Sequence, residues 1–195
     1  MPAELEDYLF DLRGYLVLHG ALSPREVAEL NAAVDDLFAD QDSGELDIDA
    51  DDSCAVKDRW YWNVVEAGEV YERLIDHRSW ISHLHRYIGN EDKAVLEESI
   101  AMLRPTGGSS QLHSGAHKRR QYTQFRYHNG QFRCGQINIM IALNDWCSGD
   151  GVTMLIPGSH KSNIIHPAFS TTATDRGGSL NTVDLVGPQL LAQML

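Results

Sequence analysis

Apolar and polar positions change their rhythm midway along the chain. Glu4 to Leu12 reads as a short helix that Gly14 ends, and Tyr15-Leu16-Val17-Leu18 reads as a strand. Ser23, Pro24 and Glu26 then form a helix start: an N-cap, a proline at the first helical position and the acid of a capping box. Val27, Leu30, Ala33, Val34 and Leu37 follow at the spacing of one helical face, so the helix runs to about Ala39. Trp60-Tyr61-Trp62 reads as a strand or a lid over a pocket, with core packing as the plainer alternative. Two short helices follow, about Glu69 to Asp76 and Trp80 to Ile88, the second ended by Gly89. The apolar stretch Ala94 to Leu103 leads into the turn-forming cluster Arg104-Pro105-Thr106-Gly107-Gly108.

Beyond that cluster the pattern is strand-like. Arg126 to Gln131 reads as a hairpin with Asn129-Gly130 at its turn. Gln136 to Leu143 is a β-rich run, Ser148-Gly149-Asp150-Gly151 a tight turn, and Val152 to Ile156 a second strand closed by Pro157-Gly158. Helices first and strands later predict an α+β fold with helices packed around a β core.

Composition narrows the class. With 195 residues, 43% hydrophobic and 23% charged, the chain suits one globular domain over 1–195. Its helix-rich part covers about 1–93 and its β part about 94–195. No apolar run reaches the ~18 residues of a membrane span. The acidic start Met1 to Asp7 has no apolar signal region, so the expected location is cytoplasmic. The three cysteines, Cys54, Cys134 and Cys147, form no Cys-x-x-Cys pair and read as buried reduced thiols.

A net charge of −12 argues against nucleic acid as a partner. The charge is uneven. Asp40 to Asp52 holds seven acids and no base, whereas His117 to Arg133 holds Lys118, Arg119, Arg120, Arg126 and Arg133 and no acid. The acidic stretch resembles a calcium loop counted from Asp47, but Asp52 stands where an EF-hand needs glycine, so it reads as a solvated loop. The basic stretch suits an anionic small molecule; solvation, or pairing with the acidic loop, is the alternative.

Among the nine histidines, His77, His83 and His85 fall in the helical region, where surface or capping roles are expected. His113 stands apart, after a turn-rich loop in Gln111-Leu112-His113-Ser114-Gly115. A mononuclear iron site needs two imidazoles and one carboxylate on one face. A histidine and an acid two residues apart point the same way along a strand. Here the second position is Gly115, which has no carboxylate to offer.

The surrounding words carry a resemblance. Leu143-Asn144-Asp145, Gly149-Asp150-Gly151 and the corner Ile156-Pro157-Gly158-Ser159-His160-Lys161 resemble the phytanoyl-CoA dioxygenase family, as does the opening Gly14-Tyr15-Leu16-Val17 with the Ser23-Pro24 helix. The likeness spans about residues 8–166. It implies a double-stranded β-helix, a jelly-roll or cupin-like core carrying N-terminal helices. It also implies Fe(II) and 2-oxoglutarate as cofactors and hydroxylation of a small organic substrate. The family's first iron ligand falls on His113 and its carboxylate ligand on Gly115. Met102, Ser114, Gly115 and Met140 fall at or beside cosubstrate positions. Lys118, Arg119, Arg120 and Arg126 would steer an anionic substrate, and His128 would sit at the barrel mouth or in solvent.

The family's distal histidine and its cosubstrate arginine come after the corner. Only His166 and Arg176 follow here, neither in the expected setting. The sequence ends at Leu195, inside a helical pattern from Pro188, so an incomplete barrel is expected, covered by homo-oligomerisation or continued in a longer chain. Three readings stand: a hydroxylating oxygenase, a halogenase-like variant with chloride in the vacancy at Gly115, and a non-catalytic binding module or fragment. A metal set from His113, His117, His128 and His160 ranks below them.

Overall fold

The computed structural model describes residues 2–41, 59–89, 94–103, 124–147, 153 and 155–162. Helix α1 (Ala3–Arg13) carries Glu4 and Glu6 in its first turn and Arg13 in its last, the order that suits the helix dipole. Gly14 closes it in the left-handed conformation, φ 86°, its N–H donating to the Phe10 carbonyl at 2.8 Å.

Helix α2 (Pro24–Gln41) starts with the capping box the sequence predicts. The Ser23 N–H and hydroxyl each donate to Glu26 Oε2 at 2.6 Å, and the Glu26 N–H donates to Ser23 Oγ at 3.3 Å. These bonds to Ser23, the hydroxyl first, pull the Glu26 carboxyl down to about 2; His77 Nε2, 3.1 Å from Oε1, adds to the effect.

Strand β1 (Arg59–Trp62) leads through a short 3₁₀ turn (Val64–Ala67) into α3 (Glu69–Glu72) and α4 (Ile81–Ile88), which Gly89 ends at φ 70°. The helix at Glu69 is shorter than expected, the chain going on to Asp76 as turns. Strand β2 (Ile100–Leu103) pairs antiparallel with β1, Trp60 opposite Met102, Tyr61 opposite Ala101 and Trp62 opposite Ile100. Strands β3 (Tyr127–His128) and β4 (Gln131–Phe132) form the predicted hairpin, with Asn129 at φ 51° and Gly130 at φ 74° as a primed turn demands.

Two apolar clusters hold these pieces. Phe10, Tyr87, Phe132 and Cys134 join α1, α4 and the hairpin, with Leu16, Phe125 and Ile137 against them. Burial pushes the Cys134 thiol up to about 11, as suits a core thiol, whereas Cys147 is exposed, contrary to the expectation of a buried one. Leu30, Val64 and Tyr71 form the second cluster, against which Leu37, Tyr61, Ala101 and Leu143 pack. Tyr61 and Ala101 are opposite each other on one sheet face, so the helices cover that face.

The fold is mixed helix and sheet. Among the described residues the strands make two two-stranded antiparallel sheets and no closed barrel. Two expected strands differ. Tyr15 to Leu18 is irregular: Leu16 packs on the first cluster while Val17 is exposed, and among the described residues no strand pairs with it. Gln136 to Leu143 also joins no ladder there. Ile137, Ile141 and Leu143 are half-buried, whereas Asn138, Ile139, Met140 and Ala142 are exposed, so the alternation expected of a strand fails at Ile139. Of Val152 to Ile156, the described residues show no strand. Most of the acidic loop, the turns at 104–108 and 148–151, and 163–195 lie outside the described residues.

Candidate functional site

His113, Ser114, Gly115, Lys118, Arg119 and Arg120 lie outside the described residues, as do His117, His166 and Arg176. Met102, Met140, Arg126, His128 and His160 lie within them. Among the described residues no three His, Cys, Asp or Glu side chains come together to hold a metal ion.

Met102 stands on β2 opposite Trp60, on the sheet face turned away from Tyr61, Ala101 and the helices behind them, and is 42% exposed. Met140 is 57% exposed in an exposed run with Asn138 and Ile139, whereas Ile137 and Leu143 on either side pack on the two helical clusters. Met102 thus lies on the side of its strand that the helical layer leaves open, and Met140 lies in an exposed stretch of an irregular segment. Arg126 serves the hairpin: its Nε–H donates to the Arg133 carbonyl at 3.1 Å, and the Arg133 N–H donates back to the Arg126 carbonyl at 2.8 Å. His128 is exposed beside the hairpin turn.

The corner at residues 157–161 has a role that spacing could not reveal. It clasps the C-terminal end of α1, where helix carbonyls lack partners. The Gly158 N–H donates to the Arg13 carbonyl at 2.9 Å, and His160 Nε2 to the Asp11 carbonyl at 3.0 Å. Lys161 Nζ lies 3.1 Å from Asp11 Oδ2. The imidazole meets Phe125 edge-on, centroids 4.5 Å apart, and covers Gly14 so closely that a Cβ there would fall 2.2 Å from Nδ1. The bond to Asp11 puts the proton on Nε2, leaving Nδ1 buried with no hydrogen-bond partner. His160 is thereby committed to α1, which removes it from the four-histidine metal set.

Burial lowers the pKa of His160, with Lys161 acting in the same direction and the Asp11 carbonyl and carboxylate opposing. The folded state prefers the neutral ring. Its contribution is therefore whole above the unfolded value of about 6.5 and shrinks as pH falls through that value. His160→Gln is expected to flatten the loss of stability between pH 7.5 and pH 5.5. Urea midpoints of both proteins at the two pH values check this, and an equal pH response in the two would refute it.

The strand reading of Trp60-Tyr61-Trp62 holds, and two further features appear with it. Trp60 and Trp62 stack on β1, ring centroids 5.8 Å apart and planes 22° apart. Their i, i+2 spacing puts both rings on one face of that strand. A cleft of about 360 Å³ also opens between α1, α4 and the hairpin, lined by Asp7, His85, Arg86, Tyr127 and Gln131 among others, and it contains none of the expected site residues.

The model of the phytanoyl-CoA dioxygenase (PhyH) family matches residues 10–184. The chain belongs to this family. No curated protein and no solved structure matches it. The phytanoyl-CoA dioxygenase family is cupin-like and generally depends on Fe(II) and 2-oxoglutarate, with oxygenase activity on small molecules. Among the described residues no helix is long and apolar enough to cross a membrane.

Proposed function

We propose that the chain is an Fe(II)/2-oxoglutarate-dependent oxygenase that hydroxylates a small organic substrate. The family match over residues 10–184 carries this reading. The layering supports it: helices pack on one face of the β1–β2 sheet, and Met102 is on the open face, where a jelly-roll interior would lie. On this reading 1–195 is one domain, helix-rich to about residue 93. His113 is the iron ligand, and Met102, Ser114, Gly115 and Met140 shape the cosubstrate pocket. Iron and 2-oxoglutarate, when bound, supply the oxidising chemistry. The protein's part is to hold and orient the substrate, with Lys118, Arg119, Arg120 and Arg126 drawing in an anionic one.

The test is an anaerobic titration with Fe(II) and 2-oxoglutarate, following the visible charge-transfer band. The wild type is expected to show the band and His113→Ala to lose it. A folded wild type with no band would overturn the oxygenase reading and favour a binding module. Gly115 favours a second reading, halogenase-like, in which chloride takes the place of the missing carboxylate. In that case chloride tightens 2-oxoglutarate binding and Gly115→Asp erases the effect; indifference to chloride retires it.

A further inference from the structure

Trp60 and Trp62 have no part in the roles assigned so far. Their position follows from the register. Trp60 is opposite Met102 and Trp62 opposite Ile100, so these four side chains share one face of the β1–β2 sheet. The other face is already spent. Tyr61 and Ala101 pack on the Leu30, Val64 and Tyr71 cluster. Arg59, on that same side, places its guanidinium 5.1 Å from the Phe38 ring centroid and donates to the Phe38 carbonyl. A slip of one residue would break all of these contacts, so the indoles are held on the Met102 side.

The chemistry of that face is specific. The two indoles lie nearly parallel, and Trp62 is 52% exposed despite having one of the largest apolar surfaces of any side chain. Stacked indoles present a rigid π surface at little cost in side-chain entropy. A thioether across the strand adds a soft, polarisable contact for an aromatic edge. Such a surface rewards a flat unsaturated ring. A flexible acyl chain gains less from it, since it must be ordered and brings no π face to stack.

We propose that Trp60 and Trp62 are specificity-determining residues of the oxygenase site, forming a platform that selects a planar, ring-containing substrate beside Met102. The proposal rests on the oxygenase reading, in which Met102 marks the cosubstrate pocket.

The experiment compares two carboxylates of equal charge, 2-naphthoate and decanoate, by calorimetric titration of the full chain without iron or cosubstrate. Wild type, Trp62→Ala and Trp62→Phe are compared, each checked for folding by circular dichroism. The expected result is that wild type binds naphthoate more tightly than decanoate. Trp62→Ala should weaken naphthoate about tenfold or more, the scale of a lost ring-stacking contact. Trp62→Phe, which keeps a π face, should recover most of that loss. A plain packing role for Trp62 would move both ligands alike. The proposal is overturned if decanoate binds as well as naphthoate, if naphthoate does not bind, or if its binding ignores both substitutions.

The charge-transfer titration on the same samples separates the two claims. Trp62-dependent naphthoate binding without a band upholds the platform and retires the oxygenase reading. A band accompanied by Trp62-independent binding retires the platform alone.

Discussion

Tyr87→Ala is expected to lower folding stability by about 3–5 kcal/mol, the usual cost of truncating a large buried aromatic. Tyr87 is 2% exposed and is the joint of the first core cluster. Its ring stacks on Phe10 of α1 at 3.9 Å and meets Phe132 of β4 edge-on at 5.0 Å. Its carbonyl accepts the Cys134 N–H at 2.9 Å, a bond that the substitution leaves in place, so the loss measured is that of the side chain. Domains of this kind are stable by roughly 5–15 kcal/mol, so a urea melt should show a large fall in midpoint. Tyr87→Phe provides the contrast. The Tyr87 hydroxyl is buried beside the Asp7 carboxylate but makes no hydrogen bond of normal geometry to it. Burial pushes its pKa up, and the Asp7 carboxylate adds to that. Removing such a group is expected to be neutral or mildly stabilising. A loss above about 1.5 kcal/mol for Tyr87→Phe would mean that the hydroxyl has a partner in solution, Asp7 being the nearest candidate.

Gly89→Ala comes next, at about 2–4 kcal/mol. Gly89 ends α4 at φ 70°, where an L side chain costs roughly 1–2 kcal/mol by itself. A Cβ there would also fall 2.2 Å from the Phe132 carbonyl oxygen. That oxygen belongs to backbone, so the hairpin must move off the end of α4 and take Phe132 out of the core. Gly20→Ala supplies the control: φ is 63° and a Cβ would meet nothing within 4 Å. Urea melts of the two variants should differ by the cost of the clash. Equal losses would show that the hairpin is not seated on α4 in solution.

What the sequence made legible was mostly local. The Ser23–Glu26 box, the glycine ends at Gly14 and Gly89 and the Asn129-Gly130 turn each depend on residues within a few positions of one another. Tyr15 to Leu18 and Gln136 to Leu143 read as strands because strand residues and buried irregular residues look alike. A strand also needs a neighbour, and a neighbour is not written in the segment itself. The candidate site divides in the same way. His113 and Gly115 stand out by their motif, and the corner by its family likeness. The partner of His160 did not, because Asp11 is 149 positions away. The shared face of Trp60 and Met102 likewise follows only once β1 and β2 are paired.

That distance has a consequence for how the protein is made. Helix α1 leaves the ribosome well before the corner, and its last carbonyls must wait for partners synthesised 149 residues later. At roughly 5–20 residues per second the delay is on the order of ten to thirty seconds. For most of that time, until Tyr87 and then Phe132 and Cys134 follow, the ring of Phe10 has no complete core to enter. Translation speed over the intervening segment, and chaperones that shield a bare amphipathic helix, should therefore affect the yield of folded protein more than changes made in the corner's own exposed residues.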